Sequence, residues 1–235
     1  MAILECRDLV KRYGSRTALD GISFAVEPGK IVGLLGPNGS GKTTMIKLAN
    51  GLLTPNSGTI LVNGMAPCAE TKAMVSYLPE RTYFADWMSV EQTIKYFEDF
   101  YSDFSRERAI TMLSQLGIDT KLKIRQMSKG TREKLQLILV MSRNARLFLL
   151  DEPIGGVDPA TRDFILHTII TNYDPQATII VSTHLIADVE QILDEVLFIN
   201  NGKLLLQESV DSIREEKGMS VDRYFREVFR CSGNW

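Results

Sequence analysis

The sequence has no apolar run approaching the roughly 18–20 residues that a bilayer-crossing helix needs. Its opening, MAILECRDLV, also lacks the charged-then-apolar layout of a secretory leader. A soluble chain is expected, one that reaches a membrane only by docking on a partner. Cysteine is scarce: Cys6, Cys68 and Cys231 are odd in number, far apart and in no metal-ligand spacing. That pattern argues against a structural zinc site and suits a reducing cytosol. Charge of one sign never accumulates. The 27 basic and 29 acidic residues are spread along the chain for a net charge of -2, so no basic block marks a nucleic-acid surface and no nucleic-acid partner is expected. Internal repeats and low-complexity tracts are missing as well.

What is present is a core. With 44% hydrophobic residues in 235, the chain can fill one globular domain, with room for a small subdomain. AILECRDLVKRYG and TALDGISFAVEPGK alternate apolar and polar positions and predict antiparallel strands, the second closed by a Pro-Gly turn. KIVGLLG reads as a strand buried on both faces. A glycine turn then leads into the helix KTTMIKLANGLL, which stops near Gly51. SGTILVNGMAP and MVSYLPE predict further strands, the latter ended by Pro79. From Arg81 to Gln126 the spacing becomes helical, as in SVEQTIKYFEDFYSDF and SRERAITMLSQLGI. Beyond it, RLFLLDEP and ATIIVSTH read as buried strands, DPATRDFILHTIITNY and LIADVEQIL as helices, DEVLFINNGKLLLQ as a hairpin about Asn200 to Gly202, and SVDRYFREVF as a closing helix. Strand and helix alternate, which predicts an α/β fold with a mostly parallel sheet and antiparallel strands added at one side.

Two motifs carry chemistry. Gly36-Pro37-Asn38-Gly39-Ser40-Gly41-Lys42-Thr43, continued by Thr44, fits the phosphate-loop pattern and sits between a strand and a helix, the context that confirms such a match. Its glycines let backbone N–H groups surround phosphate oxygens at a helix N-terminus. Lys42 is expected to reach the β- and γ-phosphates of ATP, and the Thr43 hydroxyl to ligate Mg²⁺. The second motif is the strand end LFLLDE, where Asp151 is placed to hold the Mg²⁺ shell and Glu152 to take a proton from an attacking water. Next to a phosphate loop, such a carboxylate pair is more than a solvated strand end.

With these residues in order, the chain resembles the ATP-binding cassette (ABC) ATPases that power membrane transporters, and the resemblance covers nearly the whole sequence. It implies a P-loop NTPase fold of ABC type spanning 1–235, with 1–80 and 131–235 forming the α/β catalytic core with its antiparallel β subdomain and 81–130 a helical subdomain. The resemblance also implies that Tyr13 of KRYG stacks on adenine, that His184 after TIIVSTH contacts the γ-phosphate, and that Asp158 of GGVDP serves the Asp-loop while capping the helix that begins at Pro159. His167, in mid-helix, is assigned to structure.

The family's usual signature, Leu-Ser-Gly-Gly-Gln, is replaced by Met127-Ser128-Lys129-Gly130-Thr131. Ser128 and Gly130 keep the hydroxyl and the backbone N–H that such a turn offers a γ-phosphate, while Lys129 adds a charge that either favours the phosphate or projects into water. A second departure is Glu80 of YLPE, where the family has a Gln contacting Mg²⁺ and water. Two like charges about 4 Å apart at an effective dielectric of about 20 repel by about 4 kcal/mol. Glu80 is therefore expected to sit on the metal or to swing outward. By the family's arrangement the signature turn completes the phosphate loop of a second cassette, giving a head-to-tail homodimer or heterodimer around two ATP. Separate transmembrane permease subunits are then expected to dock near the helical subdomain, with Tyr83, Phe84 and Trp87 at the contact and the chain on the cytoplasmic face of the cell membrane. Export of antibiotics, peptides or lipids is the closest match in motif detail. A soluble ABC-type ATPase acting on DNA or ribosomes is the alternative, but the coiled coil or tandem cassette it needs is missing. A small-molecule phosphate-loop kinase leaves MSKGT, GGVDP and His184 without a shared purpose.

Overall fold

A computed structural model describes residues 1–172 and 174–231. The chain opens with β1 (Leu4–Tyr13) and β2 (Arg16–Val26), followed by β3 (Ile31–Leu35), α1 (Lys42–Ala49), β4 (Ser57–Val62), α2 (Ala69–Met74) and β5 (Val75–Leu78). Three helices come next: α3 (Val90–Phe100), α4 (Arg106–Gln115) and, after a short 3-10 turn, α5 (Lys129–Met141). The remainder is β6 (Leu147–Asp151), α6 (Pro159–Thr171), β7 (Thr178–Thr183), α7 (Ile186–Val189), β8 (Glu195–Asn200), β9 (Lys203–Ser209), α8 (Val210–Lys217) and α9 (Val221–Cys231).

The strands form two sheets. A six-stranded sheet in the order β5-β6-β7-β3-β8-β9 is parallel except for β9, which returns antiparallel along the edge. The predicted antiparallel strands β1, β2 and β4 make a three-stranded sheet of their own, in the order β2-β1-β4, rather than extending the first. All five residues of β3 and of β6 are buried. Alternate side chains serve different cores, as the two-residue period of a strand requires. Phe148, Leu150, Ile179 and Val181 belong to the cluster with α5, α6 and the C-terminal helices. Leu147, Leu149, Val32, Leu34 and Ile180 belong to the one with α1 and the small sheet. A third cluster unites α3 and α4 through Ile94, Phe97, Met112 and Leu113, and it continues onto α5 through Leu135, Ile138 and Leu139. The helical layer thus rests on the same helix that the signature turn begins.

Helix ends follow local chemistry. Ser89, Ser105, Ser128, Asp158 and Ser209 each accept a backbone N–H in the first turn of α3, α4, α5, α6 and α8. The closing helix α9 lays Tyr224, Phe225 and Phe229 on Phe198 of β8, with ring centroids 6.1, 5.1 and 6.4 Å away. Among the described residues no helix is long and apolar enough to cross a membrane.

One buried cation joins the helical layer to the sheet. Arg143, 2% exposed, follows α5 and donates to both oxygens of Asp103, at 2.9 and 3.1 Å, and to the carbonyls of Val75 and Ala73. Its guanidinium also lies 3.9 Å from the centre of the Tyr101 ring. Removing it strands two carbonyls and a carboxylate. Arg143→Leu is expected to lower unfolding stability by about 3 kcal/mol or more, read from the urea midpoint. Arg106→Ala, which breaks exposed pairs with Glu91 and Glu98, should cost less than about 1 kcal/mol. Equal losses would mean that Arg143 is not the tie between layers.

Candidate functional site

The parallel strands all point their carboxyl ends to one edge, where loops after β3, β5, β6 and β7 converge, the place at which open α/β sheets take ligands. The register brings Leu35 level with Thr183 and Asp151 level with Ser182. A cleft of about 680 Å³ opens there, lined by Tyr13, Asn38, Gly39, Gly41, Lys42, Thr43, Thr44, Glu80, Glu152 and His184. Ten predicted site residues thus meet at one opening.

The loop from Gly36 to Gly41 is shaped by backbone that only glycine tolerates well. Gly39 and Gly41 have φ of 81° and 115°. At Gly36 a Cβ would come within 2.2 Å of the Ile199 carbonyl and 2.7 Å of Ser40 Oγ. From behind, the Gly202 N–H in the β8–β9 turn donates to the Ser40 carbonyl at 2.9 Å. Ser40 itself is buried and its hydroxyl has no hydrogen-bond partner. Gly41 precedes α1 without a side-chain cap, so the first N–H groups of this helix face the loop unclaimed by a side chain, as an anion site requires.

Lys42 is buried at 5% exposure. Its ammonium donates to the carbonyls of Gly36 and Pro37, at 2.8 and 3.3 Å, and lies 3.2 Å from Glu152 Oε1 as an ion pair without hydrogen-bond alignment. The other Glu152 oxygen is 3.0 Å from His184 Nδ1. Glu152 also holds a left-handed backbone, φ 49°, a strained state for a non-glycine residue. Its N–H donates to both the carbonyl and the hydroxyl of Ser182, at 3.0 and 3.1 Å, while its carbonyl accepts from Gly155.

Asp151, 1% exposed, accepts from the Thr43 hydroxyl at 3.0 Å and from Ser182 Oγ at 2.7 Å, both on Oδ1; its Oδ2 is buried without a partner. Burial pushes this carboxyl above the usual carboxylate range. The bonds from Ser182 and Thr43 oppose the rise, and the charges of Glu152 and Glu80 add to it. Tyr13, nearly half exposed at the end of β1, presents its ring at the rim with the Lys11 ammonium 5.5 Å from its centre.

Ser128, Gly130 and Asp158 do not line the cleft. They gather elsewhere: a Cβ at Gly130 would lie 3.5 Å from Thr161 Oγ1 and 3.8 Å from Asp158 Oδ2. Asp158 caps α6, accepting the Thr161 N–H at 3.0 Å and its hydroxyl at 2.7 Å, which hold its carboxyl below the usual range. Ser128 caps α5, accepting the Thr131 N–H at 3.1 Å, and its hydroxyl is hydrogen-bonded to that of Thr131 at 2.8 Å. Lys129 projects from this turn, 74% exposed, with its ammonium 3.6 Å from Glu133 and 3.4 Å from where a Cβ on Gly156 would lie. His167 lies exposed on α6, away from the cleft.

Three contributors escaped the sequence reading. Ser182 braces both Asp151 and Glu152, yet in TIIVSTH it reads as one more strand residue. Arg16 and the Gly155–Gly156 turn line the cleft; the glycine pair was legible as a turn, and Arg16 carried no signal apart from its nearness to Tyr13.

The profile of the family described as ABC transporter matches residues 19–155. The chain belongs to the ABC transporter family. It is 33% identical over 214 residues to an uncharacterized ABC transporter ATP-binding protein, YdbJ, of Bacillus subtilis (strain 168), covering 88% of this chain and 70% of that one. The SkfA peptide export ATP-binding protein SkfE of the same organism is 29% identical over 241 residues, covering 100% of this chain and 99% of its own. A solved structure described as the ATP-binding subunit of an ABC transporter superposes with a TM-score of 0.86 at 26% identity, over 97% of this chain and 99% of that one. The expected α/β ABC fold and its assignment as an ATP-binding, ATP-hydrolysing transport subunit are borne out, and the soluble DNA or ribosome alternative is not favoured.

For this ABC subunit the cradle at Gly36 gives a direct check. Gly36→Ala should weaken ATP binding at least about tenfold, because the added Cβ overlaps backbone that cannot yield. A fluorescent-nucleotide titration reads this, and unchanged affinity would show that the loop shape is not what holds the nucleotide.

Proposed function

We propose that the chain is the ATPase subunit of a membrane exporter and that two such cassettes close head to tail around two ATP. The observation that carries this reading is the separation of two phosphate-seeking turns within one chain. The phosphate loop, Glu152 and His184 share one cleft, whereas Ser128, Gly130 and Asp158 are not part of its lining. A second cassette would bring its signature turn to the first one's phosphates, and two-fold symmetry would make both contacts at once.

In this reading Lys42 leaves Glu152 for the β- and γ-phosphate oxygens, and the backbone of Gly36 to Thr44 cradles them, with Tyr13 stacked on the base. The freed Glu152 carboxylate takes the proton of the attacking water. His184, already on the other oxygen, keeps that carboxylate oriented and faces the γ-phosphate. The residues on the metal side fit Mg²⁺. Asp151 Oδ2 is a buried oxygen without a partner beside the Thr43 hydroxyl, and Glu80 opens on the same cleft. Among the described residues no group of three or more His, Cys, Asp or Glu is placed to hold a metal ion unaided. Mg²⁺ commonly takes one or two carboxylates and completes its shell with phosphate oxygens and water. Held by Asp151, Thr43 and Glu80, it would neutralise the charge that develops on the phosphate oxygens.

The helical subdomain, residues 81–130, packs against the core of 1–80 and 131–235 and presents the docking face. A groove of about 280 Å³ between the two is lined by Leu52, Lys72, Tyr83, Tyr96 and Tyr101, and Trp87 of the same subdomain stands 66% exposed. Phe84 instead packs half-buried on the helical cluster. A cytoplasmic segment of a separate permease is the proposed occupant, which places the chain peripherally on the inner face of the membrane. The likeness to a peptide-export cassette over the full chain supports export.

Glu152→Gln should bind Mg-ATP, hydrolyse it at least about a hundredfold more slowly, and run as a dimer by size exclusion. Ser128→Arg added to it should abolish the dimer and keep single-cassette nucleotide binding. A Glu152→Gln protein that stays monomeric at saturating Mg-ATP would sink the head-to-tail reading.

A further inference from the structure

One amide interrupts the apolar run LQLILVM of α5. Gln136 is 2% exposed. Its Nε2 donates to the Pro79 carbonyl at 3.2 Å, and its Oε1 has no hydrogen-bond partner. Native interiors rarely leave such an oxygen unpaired. A burial of this kind calls for a partner.

A small cavity of about 30 Å³ lies against this side chain, bounded also by Pro79, Glu80, Glu133, Asp151 and Glu152. Three buried oxygens without a hydrogen-bond partner belong to residues of this one wall: Gln136 Oε1, Asp151 Oδ2 and Glu152 Oε1, the last in ion-pair contact with Lys42. A water needs about 10–15 Å³ and two to four polar partners. The cavity is large enough for one, and the residues that carry these oxygens line it.

We infer that Gln136 is a positioning residue for ATP hydrolysis. Its N–H fixes the Pro79 carbonyl, and with it the direction of Glu80, while its carbonyl oxygen anchors a water shared with the Asp151–Glu152 pair. Gln136 stands on the same helix that Ser128 caps, so α5 carries a contact made at the signature turn to the loop that bears Glu80. A helix is stiff enough to do this, and the Pro79 bond is its point of attachment. The inference rests on the proposed roles of Glu152, Asp151 and Glu80.

The test is Gln136→Met in the full chain. Methionine fills a similar volume with an unbranched chain and brings no amide. Steady-state ATPase should show kcat reduced at least about fivefold, the size expected for one lost neutral hydrogen bond, with KM within about twofold and Tm not lowered. Combined with Glu80→Gln, the loss should be less than multiplicative, because both changes act on one loop. An undiminished kcat in folded Gln136→Met overturns the inference, as does a multiplicative double variant. Gln136→Leu keeps a similar volume and likewise loses the donated N–H, and it should show the same fall in kcat. If neither variant folds, Gln136 is a structural staple and the inference is wrong. A wild-type chain that fails to hydrolyse Mg-ATP would instead sink the reading on which this one rests.

Discussion

The Asp151 carboxylate is the point at which the rest of the site is fixed. It ends β6 with almost no solvent contact and takes hydrogen bonds from Thr43 on the first turn of α1 and from Ser182 near the end of β7. One oxygen therefore ties the phosphate loop to two neighbouring strands. Burial makes the charged form costly, and the two hydroxyls offset only part of that cost. The second oxygen is held inside the protein with no protein partner. A cation at this oxygen would relieve the strain, which is why the site is most readily understood as one half of an electrostatic unit whose other half arrives with the nucleotide.

Ser182 extends that constraint to the proposed base. By accepting the Glu152 N–H on its hydroxyl as well as its carbonyl, it holds that residue in the left-handed conformation that turns its carboxylate toward Lys42 and His184. Such a backbone state costs roughly 1–3 kcal/mol and persists only where neighbours over-determine it. The neighbours here are two bonds from Ser182 and one from Gly155. Lys42 and Glu152 then neutralise each other in a setting too dry for either to stand alone. In the proposed reading phosphate oxygens compete for the lysine, so that filling the cradle and freeing the carboxylate become a single event.

Most of this was legible in the sequence because the site is local. The phosphate loop is one contiguous segment whose glycines have no other explanation, and LFLLDE announces a strand buried on both faces that ends in charge. The helices that escaped were short ones that bury little apolar surface. α2 is six residues long and buries only Thr71, too short a span for a helical period to emerge. α8 had visible stops, with Ser209 capping its start and Gly218 at φ 63° past its end, but it buries only Val210 and Ile213 and so showed little amphipathic stripe. Ser182 was hidden for a different reason. Its function is a register effect: only the pairing of Asp151 with Ser182 across β6 and β7 gives a strand serine its meaning. Gln136 likewise is one polar residue in an apolar run, and only the placement of its helix against the loop at Pro79 gives its amide a partner.

The two departures from the family pattern carry opposite charges, and their placement decides whether they compensate within one chain. Glu80 opens on the nucleotide cleft, and the Lys129 ammonium lies beside the Gly156 turn that lines the same cleft, 3.6 Å from Glu133. Glu133 is raised by burial and lowered by Lys129, so its nearest compensation comes from this lysine. The lysine side chain is 74% exposed, and an exposed pair of this kind contributes about 0–1 kcal/mol. Most of its charge is therefore unspent in the single chain, and it stands at the turn that, in a head-to-tail pair, faces the other cassette's γ-phosphate. Because the Gly156 turn lines the same cleft as Glu80, and Glu133 shares the small cavity with Glu80, the extra ammonium at position 129 and the extra carboxylate at position 80 border one site within a single chain, so the two departures are better weighed as a pair than one residue at a time.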